Sequence, residues 1–207
     1  MNDIVVKYIK KHKSPGLYIV ETDDGQSVLL TAKGIFENGI KTEKVFTQRQ
    51  FDKIREYSER EHSYRYAVFL LGRRDYSSGE MLKKLSEKGD FAQETVERLV
   101  KSGYIDDDNY SRKIIDKYID KYGKKRIEEE LYKRFIPREV WRGYLDACCE
   151  DMSEQVLKLL SAKMKNRPFT DRSQRDKTYA YFIRRGYDFE SISKAFRRYG
   201  DNGEFDD

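Results

Sequence analysis

Cysteine, histidine and long apolar runs are scarce in this chain, and each shortage removes a class of function. Of its 207 residues only two are cysteines, Cys148 and Cys149. Being adjacent, they cannot close an ordinary disulfide loop, so no disulfide framework argues for export and both are expected to be reduced. The two histidines, His12 and His62, fall in different regions. There is no His-Glu-x-x-His, no Cys-x-x-Cys and no glycine-rich phosphate loop. The expectation is a protein that is not an enzyme and holds no metal or cofactor. No apolar run approaches the roughly 18 residues of a membrane span, and Met1-Asn2-Asp3-Ile4 lacks the basic and apolar segments of a leader. With 38% charged residues and a mean hydropathy of −0.90, the chain reads as a cytoplasmic protein with no membrane partner.

What the chain does have is a phrase written three times from Tyr64 to Tyr199: a helix-like stretch, a basic turn, a second helix, a short break and a third helix. The period is about 45 residues, the signature of a repeat array. Its anchors are Leu85-Ser86-Glu87-Lys88-Gly89, Leu131-Tyr132-Lys133-Arg134-Phe135 and Phe182-Ile183-Arg184-Arg185-Gly186. Each places an apolar residue and a base ahead of the position where the helix must stop. Val96/Leu99/Val100, Trp141/Tyr144/Leu145 and Ile192/Ala195/Phe196 follow at i, i+3, i+4, apolar stripes that stacked neighbours would bury.

The first 60 residues follow another pattern. Ile4, Val6 and Tyr8 alternate, Leu17 to Val20 is apolar, and Asp24-Gly25 sits before Val28-Leu29-Leu30 as a hairpin turn. This predicts a small antiparallel sheet, with residues 33–44 readable either way. Thr47-Gln48-Arg49-Gln50 has the form of a capping box opening a linking helix to about Arg60. Ser77 to Glu80 is a second capping box, Gly89 and Gly103 fit left-handed helix stops, and Pro137 fits a first helical position. The expected fold is mainly α: three tandem three-helix repeats in an elongated curved array, with a small N-terminal antiparallel β-sheet and a linking helix. The expected divisions are a sheet over 1–46, a linking helix over 47–62, repeats over 63–107, 108–152 and 153–199, and an acidic disordered tail over 200–207.

The net charge of +5 is spread unevenly. Residues 153–199 hold 12 bases against 5 acids, whereas residues 61–107 and 108–152 are nearly balanced. Asp106-Asp107-Asp108 could hold Mg²⁺, but it lies where a helix must begin and is read first as an N-cap. The turn after the first helix of each repeat is basic: Arg73-Arg74, then Lys124-Lys125-Arg126, then Lys165, Arg167, Arg172 and Arg175. If equivalent turns align, they form a positive ridge for phosphates or an acidic groove, continued by Arg184, Arg185, Arg197 and Arg198. The alternative is that bases near a helix C-terminus merely offset its dipole. Sixteen tyrosines invite a stacking platform for single-stranded nucleic acid, although Tyr66, Tyr110 and Tyr118 fall at core spacing, as does Trp141.

Residues 66–77, Tyr-Ala-Val-Phe-Leu-Leu-Gly-Arg-Arg-Asp-Tyr-Ser, are followed by Glu80, Leu82, Leu85, Lys88-Gly89, Gly103-Tyr104-Ile105-Asp106-Asp107 and Tyr110. In that order and spacing they closely resemble the RecX family of bacterial regulatory proteins, most strongly from Tyr64 to about Leu145. Two departures stand out: Phe135 where the other repeats have glycine, and a lengthened third repeat around Asn166 to Arg175. The resemblance implies a non-enzymatic modulator that docks in the groove of the RecA filament on DNA and inhibits the recombinase, affecting recombination and repair; the chain itself is expected to be a monomer. Single- or double-stranded DNA is a further candidate partner. The alternative is a helical-repeat transcriptional regulator that contacts duplex DNA directly.

Overall fold

The computed structural model describes residues 3–201. In chain order these form β1 (Asp3–Lys11), β2 (Leu17–Thr22), β3 (Ser27–Thr31), α1 (Ala32–Glu37), β4 (Val45–Thr47), α2 (Gln48–Leu71), α3 (Ser78–Ser86), α4 (Ala92–Lys101), α5 (Asp107–Ile119), α6 (Lys124–Tyr132), α7 (Arg138–Cys148), α8 (Ser153–Met164), α9 (Arg172–Arg184) and α10 (Phe189–Asp201). The protein is mostly helical, with a small N-terminal antiparallel sheet and helices in successive triads. The expected acidic tail lies, from residue 202 onward, outside the described residues. Two compact units emerge, one of Met1–Arg74 with Met81–Ser102 and one of Asp75–Glu80 with Gly103–Asp207.

In the first unit the strand order is β3-β2-β1-β4, all antiparallel. Gly25 takes a φ of 84° in the hairpin predicted at Asp24-Gly25, and Ile4, Val6, Val20, Val28, Leu30, Ile40, Phe46, Phe51 and Ile54 share one core. The predicted alternation fails at Tyr8, which is exposed. The register of β1 on β2 shifts between Val6 and Tyr8, and one extra residue turns every later side chain to the opposite face; Ile9 accordingly packs on the core instead. Residues 33–44 supply the short α1, capped by the Thr31 hydroxyl accepting from Gly34 N at 3.0 Å.

Thr47 and Gln50 form the predicted capping box. The helix they open does not stop near Arg60: α2 runs unbroken to Leu71, because the linking segment and the first repeat helix meet without a glycine or proline to break them. Phe51 and Ile54 serve the sheet core, while the middle of α2 faces α4 through Arg98–Glu61 at 3.0 Å and Thr95 Oγ1 donating to Ser63 Oγ at 2.9 Å.

The second unit is organised by a joint that occurs twice. Ser77 and Glu80 make the expected capping box at the start of α3, with Glu80 N donating to Ser77 Oγ at 3.0 Å. The Ser77 hydroxyl donates to the Arg134 carbonyl, and Gly79 lies so close to Phe135 that a Cβ there would stand 2.4 Å from its carbonyl oxygen. One repeat on, Gly123 N donates to Arg185 O at 2.9 Å and Lys125 N to Gly186 O at 3.2 Å. A Cβ on Gly123 would stand 2.2 Å from Tyr187 N. In both cases the chain that receives the helix start has turned left-handed, at Phe135 (φ 52°) and at Gly186 (φ 86°). Each turn is closed by a bond back across five residues, Ile136 N to Leu131 O at 3.4 Å and Tyr187 N to Phe182 O at 3.2 Å.

Phe135 therefore occupies the same conformation as the glycine it replaces. Gly89 does not, since it lies outside the positive-φ set. In the two left-handed stops the next residue, Ile136 or Tyr187, is buried and supplies the apolar contact that usually accompanies such a stop. After Gly89 comes Asp90, which cannot. Gly103 is left-handed as expected, at φ 72°, and Pro137 caps α7 from one position before its first turn. Of the apolar stripes, Val96, Leu99, Trp141, Leu145, Ile192, Ala195 and Phe196 are buried, whereas Val100 is exposed.

The two glycine environments separate experimentally. Gly123→Ala should cost about 2 kcal/mol or more, because its Cβ would meet backbone that cannot yield. A Cβ added at Gly89 meets nothing within 4 Å, so Gly89→Ala should stay within about 0.5 kcal/mol of the parent. Denaturant midpoints at constant m-value report both, and equal losses would contradict the joint.

Candidate functional site

The second joint gathers two of the basic groups singled out in the sequence. Lys124, Lys125 and Arg126 form the first turn of α6, whose N-cap Gly123 offers no side-chain cap. Arg184 and Arg185 lie where α9 ends. The hydrogen bonds from Gly123 and Lys125 to Arg185 and Gly186 hold the two segments together. Three cations at a helix N-terminus face the positive end of the helix dipole. The expectation that such bases offset a helix C-terminus is thus reversed for α6, whose dipole they oppose.

Part of that charge is answered locally. Lys124 meets Asp146 at 2.8 Å, and Arg126 meets Glu129 at 2.8 Å and Glu130 at 3.3 Å. The hydrogen bond from Lys124 holds the Asp146 carboxyl below its usual pKa and raises that of the lysine. The Arg185 guanidinium lies between the Tyr122 and Tyr181 rings, at 4.8 and 5.0 Å from their centroids, a cation–π seat that fixes it. Lys125 and Arg184 are exposed and make no ion pair among the described residues.

The other expected ridge residues are placed differently. Arg73 and Arg74 belong to the first compact unit and are exposed, with Arg73 lying 4.6 Å over the exposed Phe69 ring. Arg198 is bound to Glu154. Arg197 is exposed in a separate cleft with Arg172 and Arg175. Beside the joint runs an open groove of about 610 Å³ whose walls include Lys125 and Lys194 but also Glu128, Asp151 and Glu190. These acids come from α6, the loop before α8, and α10, so no local motif announces them in sequence.

Asp106-Asp107-Asp108 divides its work three ways. Asp106 caps α5 by accepting from Asn109 N at 2.9 Å, Asp107 accepts from Ser78 N at 2.8 Å, and Asp108 pairs with Arg112 at 2.9 Å. Among the described residues no group of three or more histidine, cysteine, aspartate or glutamate side chains is placed to hold a metal, and no helix is long and apolar enough to cross a membrane. Tyr66, Tyr110 and Tyr118 are half-buried and Trp141 is fully buried, as their spacing predicts.

A family profile for the third three-helix domain of RecX matches residues 150–196. The regulatory protein RecX of Chlorobium phaeobacteroides is 31% identical over 138 residues, 62% of this chain and 87% of that one. The chain belongs to the RecX family. The regulatory protein RecX of Caldanaerobacter subterraneus subsp. tengcongensis is 26% identical over 198 residues, 93% of this chain and 98% of that one, so its likeness is not confined to the repeats. A crystal structure of regulatory protein RecX superposes with a TM-score of 0.64 at 16% identity, covering 92% of this chain and 97% of that chain. RecX from Lactobacillus salivarius superposes with a TM-score of 0.56 at 18% identity over 69% and 97%. These two bear on the fold. The RecX relatives are named as regulatory proteins, not as enzymes.

Cys149 lines the groove beside the joint, and burial pushes its thiol up to about 12, whereas Cys148 is exposed. A raised thiol pKa leaves almost no thiolate at pH 8. A disulfide reagent at that pH should therefore titrate one thiol per native chain at Cys148, and two only after unfolding. Two fast thiols in the folded protein would contradict the burial of Cys149.

Proposed function

We propose that this RecX-family protein is a monomeric, non-enzymatic regulator that binds the RecA–DNA filament in the cytoplasm and inhibits the recombinase. The observation that supports the reading best is the second joint, where Lys125 and Arg184 stand exposed on two segments that are hydrogen-bonded together. The Lys125 charge opposes the dipole of α6, so a partner's negative charge is a natural reason for keeping it, and Arg184, in the last turn of α9, adds a second exposed cation. Membership of the family supplies the identity of that partner, and Arg73 and Arg74 offer a second basic contact on the other compact unit.

The test is RecA ATP hydrolysis or strand exchange on single-stranded DNA, with this protein titrated at fixed filament concentration. The parent should inhibit, and less so as salt shortens the screening length to about 8 Å and below. Lys125→Glu with Arg184→Glu should raise the half-inhibiting concentration about tenfold, equivalent to about 1.4 kcal/mol, with helical circular dichroism unchanged because exposed bases contribute little to folding. Arg73→Glu with Arg74→Glu should act in the same direction. Full inhibition by both double variants would reduce these bases to a solvated surface. A parent without effect on the filament that bound one duplex sequence tightly would make the protein a direct DNA regulator.

A further inference from the structure

The lengthened loop before α9 builds a second feature, apart from the joint. After α8, Lys165 and Asn166 take φ values of 54° and 57°, two successive left-handed residues that reverse the chain. The Tyr199 hydroxyl then donates to the Arg167 carbonyl at 2.7 Å, which ties the loop to α10. Phe169 is carried onto the same helix, its ring stacked on Phe196 at 5.4 Å and 21° and set edge-on to Tyr199 at 5.7 Å. Here the loop and α10 leave a cleft of about 580 Å³ with Phe169 and Phe196 in its wall and Arg172, Arg175 and Arg197 around it.

The polar groups of this cleft are unevenly committed. Asp171, the one carboxylate of the cleft among the described residues, is occupied as the cap of α9, accepting from Gln174 N at 2.7 Å and from the Thr170 hydroxyl at 3.1 Å. Arg172 is almost fully exposed and reaches Asp176 only at 3.8 Å. Arg175 and Arg197 are exposed and make no ion pair among the described residues. An aromatic wall bordered by exposed arginines, two of them without an ion pair among the described residues, is the combination that holds unpaired nucleotides: a ring face takes a base, and the arginines take the flanking backbone.

We propose that the cleft of Phe169, Arg172, Arg175 and Arg197 binds single-stranded nucleic acid, with a base on the phenylalanine ring and neighbouring phosphates on the arginines. A duplex keeps its bases stacked on one another and offers only phosphates. An acidic peptide would satisfy the arginines and leave the ring face unused.

The experiment is fluorescence anisotropy of a labelled oligothymidylate with the full chain, without recombinase, so its outcome does not depend on the filament reading. The parent should bind, and Arg175→Gln with Arg197→Gln should weaken binding at least tenfold. The slope of log affinity against log salt should fall in magnitude by about 1.4, or about 0.7 for each lost phosphate contact. Phe169→Leu keeps an apolar filler against Phe196 and should cost several-fold in affinity with circular dichroism unchanged. Absence of binding by the parent, unchanged affinity in the double arginine variant, or equally tight binding of a duplex of the same length would overturn the proposal. So would an oligoglutamate of equal charge that competes as well as unlabelled strand.

Discussion

The first four backbone N–H groups of an α-helix have no partner inside the helix, and left buried each would cost about 1–3 kcal/mol. At the start of α6 Lys125 N donates to Gly186, and the N-cap Gly123 N donates to Arg185. Ser77 makes the corresponding contact at the start of α3, through its hydroxyl to Arg134. A helix can begin against another chain segment only if that segment has stopped being helical and turned its carbonyls outward. The left-handed residue does that, and the facing glycine lets the backbones meet. Gly79 opposite Phe135 and Gly123 opposite Gly186 are one solution used twice, and the large core of the C-terminal unit, from Ile114 to Phe196, closes around it.

The joint also decides which charges remain available. Because the start of α6 is held by carbonyls, its first turn needs no acidic cap and tolerates three cations. Two of these find carboxylates, Lys124 with Asp146 and Arg126 with Glu129 and Glu130. Arg185 is fixed between two tyrosine rings. What stays open is Lys125, on the wall of a groove carrying both signs of charge, and Arg184, at the end of the segment that the joint holds. A surface of mixed sign at the edge of a basic spot favours a partner that presents an ordered pattern of charge over a uniform polyanion.

Much of this was legible in the sequence where the cause is local. The capping boxes at Thr47 and Ser77, the Asp24-Gly25 turn, the cap at Asp106 and most of the buried stripes follow from residues within one turn of each other. The failures share a cause of another kind. A glycine's residue type alone does not fix a left-handed stop: Gly103 turns left-handed and Gly89 does not, while the stop at Phe135 falls where its anchor places it. The bulge after Val6 depends on the register of β1 against β2. Which of the basic residues are paired is legible only in part: Arg126 finds Glu129 and Glu130 within one turn, whereas Lys124 and Arg198 reach Asp146 and Glu154, which are distant in the chain.

The lengthening of the third repeat illustrates the same limit from the other side. In sequence, residues 166 to 175 look like lost periodicity, a stretch where the repeat pattern lapses. In three dimensions the two left-handed residues at its start turn that lapse into a folded-back loop that sets an aromatic ring among arginines of α9 and α10. A repeat helix cannot do this, because its inward face is committed to the core and its outward face projects side chains apart from one another. Only an insertion that leaves the helix and returns can bring Phe169 onto Phe196 while Arg197 points into the same space as Arg172 and Arg175. The departure from the repeat is what makes a recess with its own chemistry available on the surface of the third repeat.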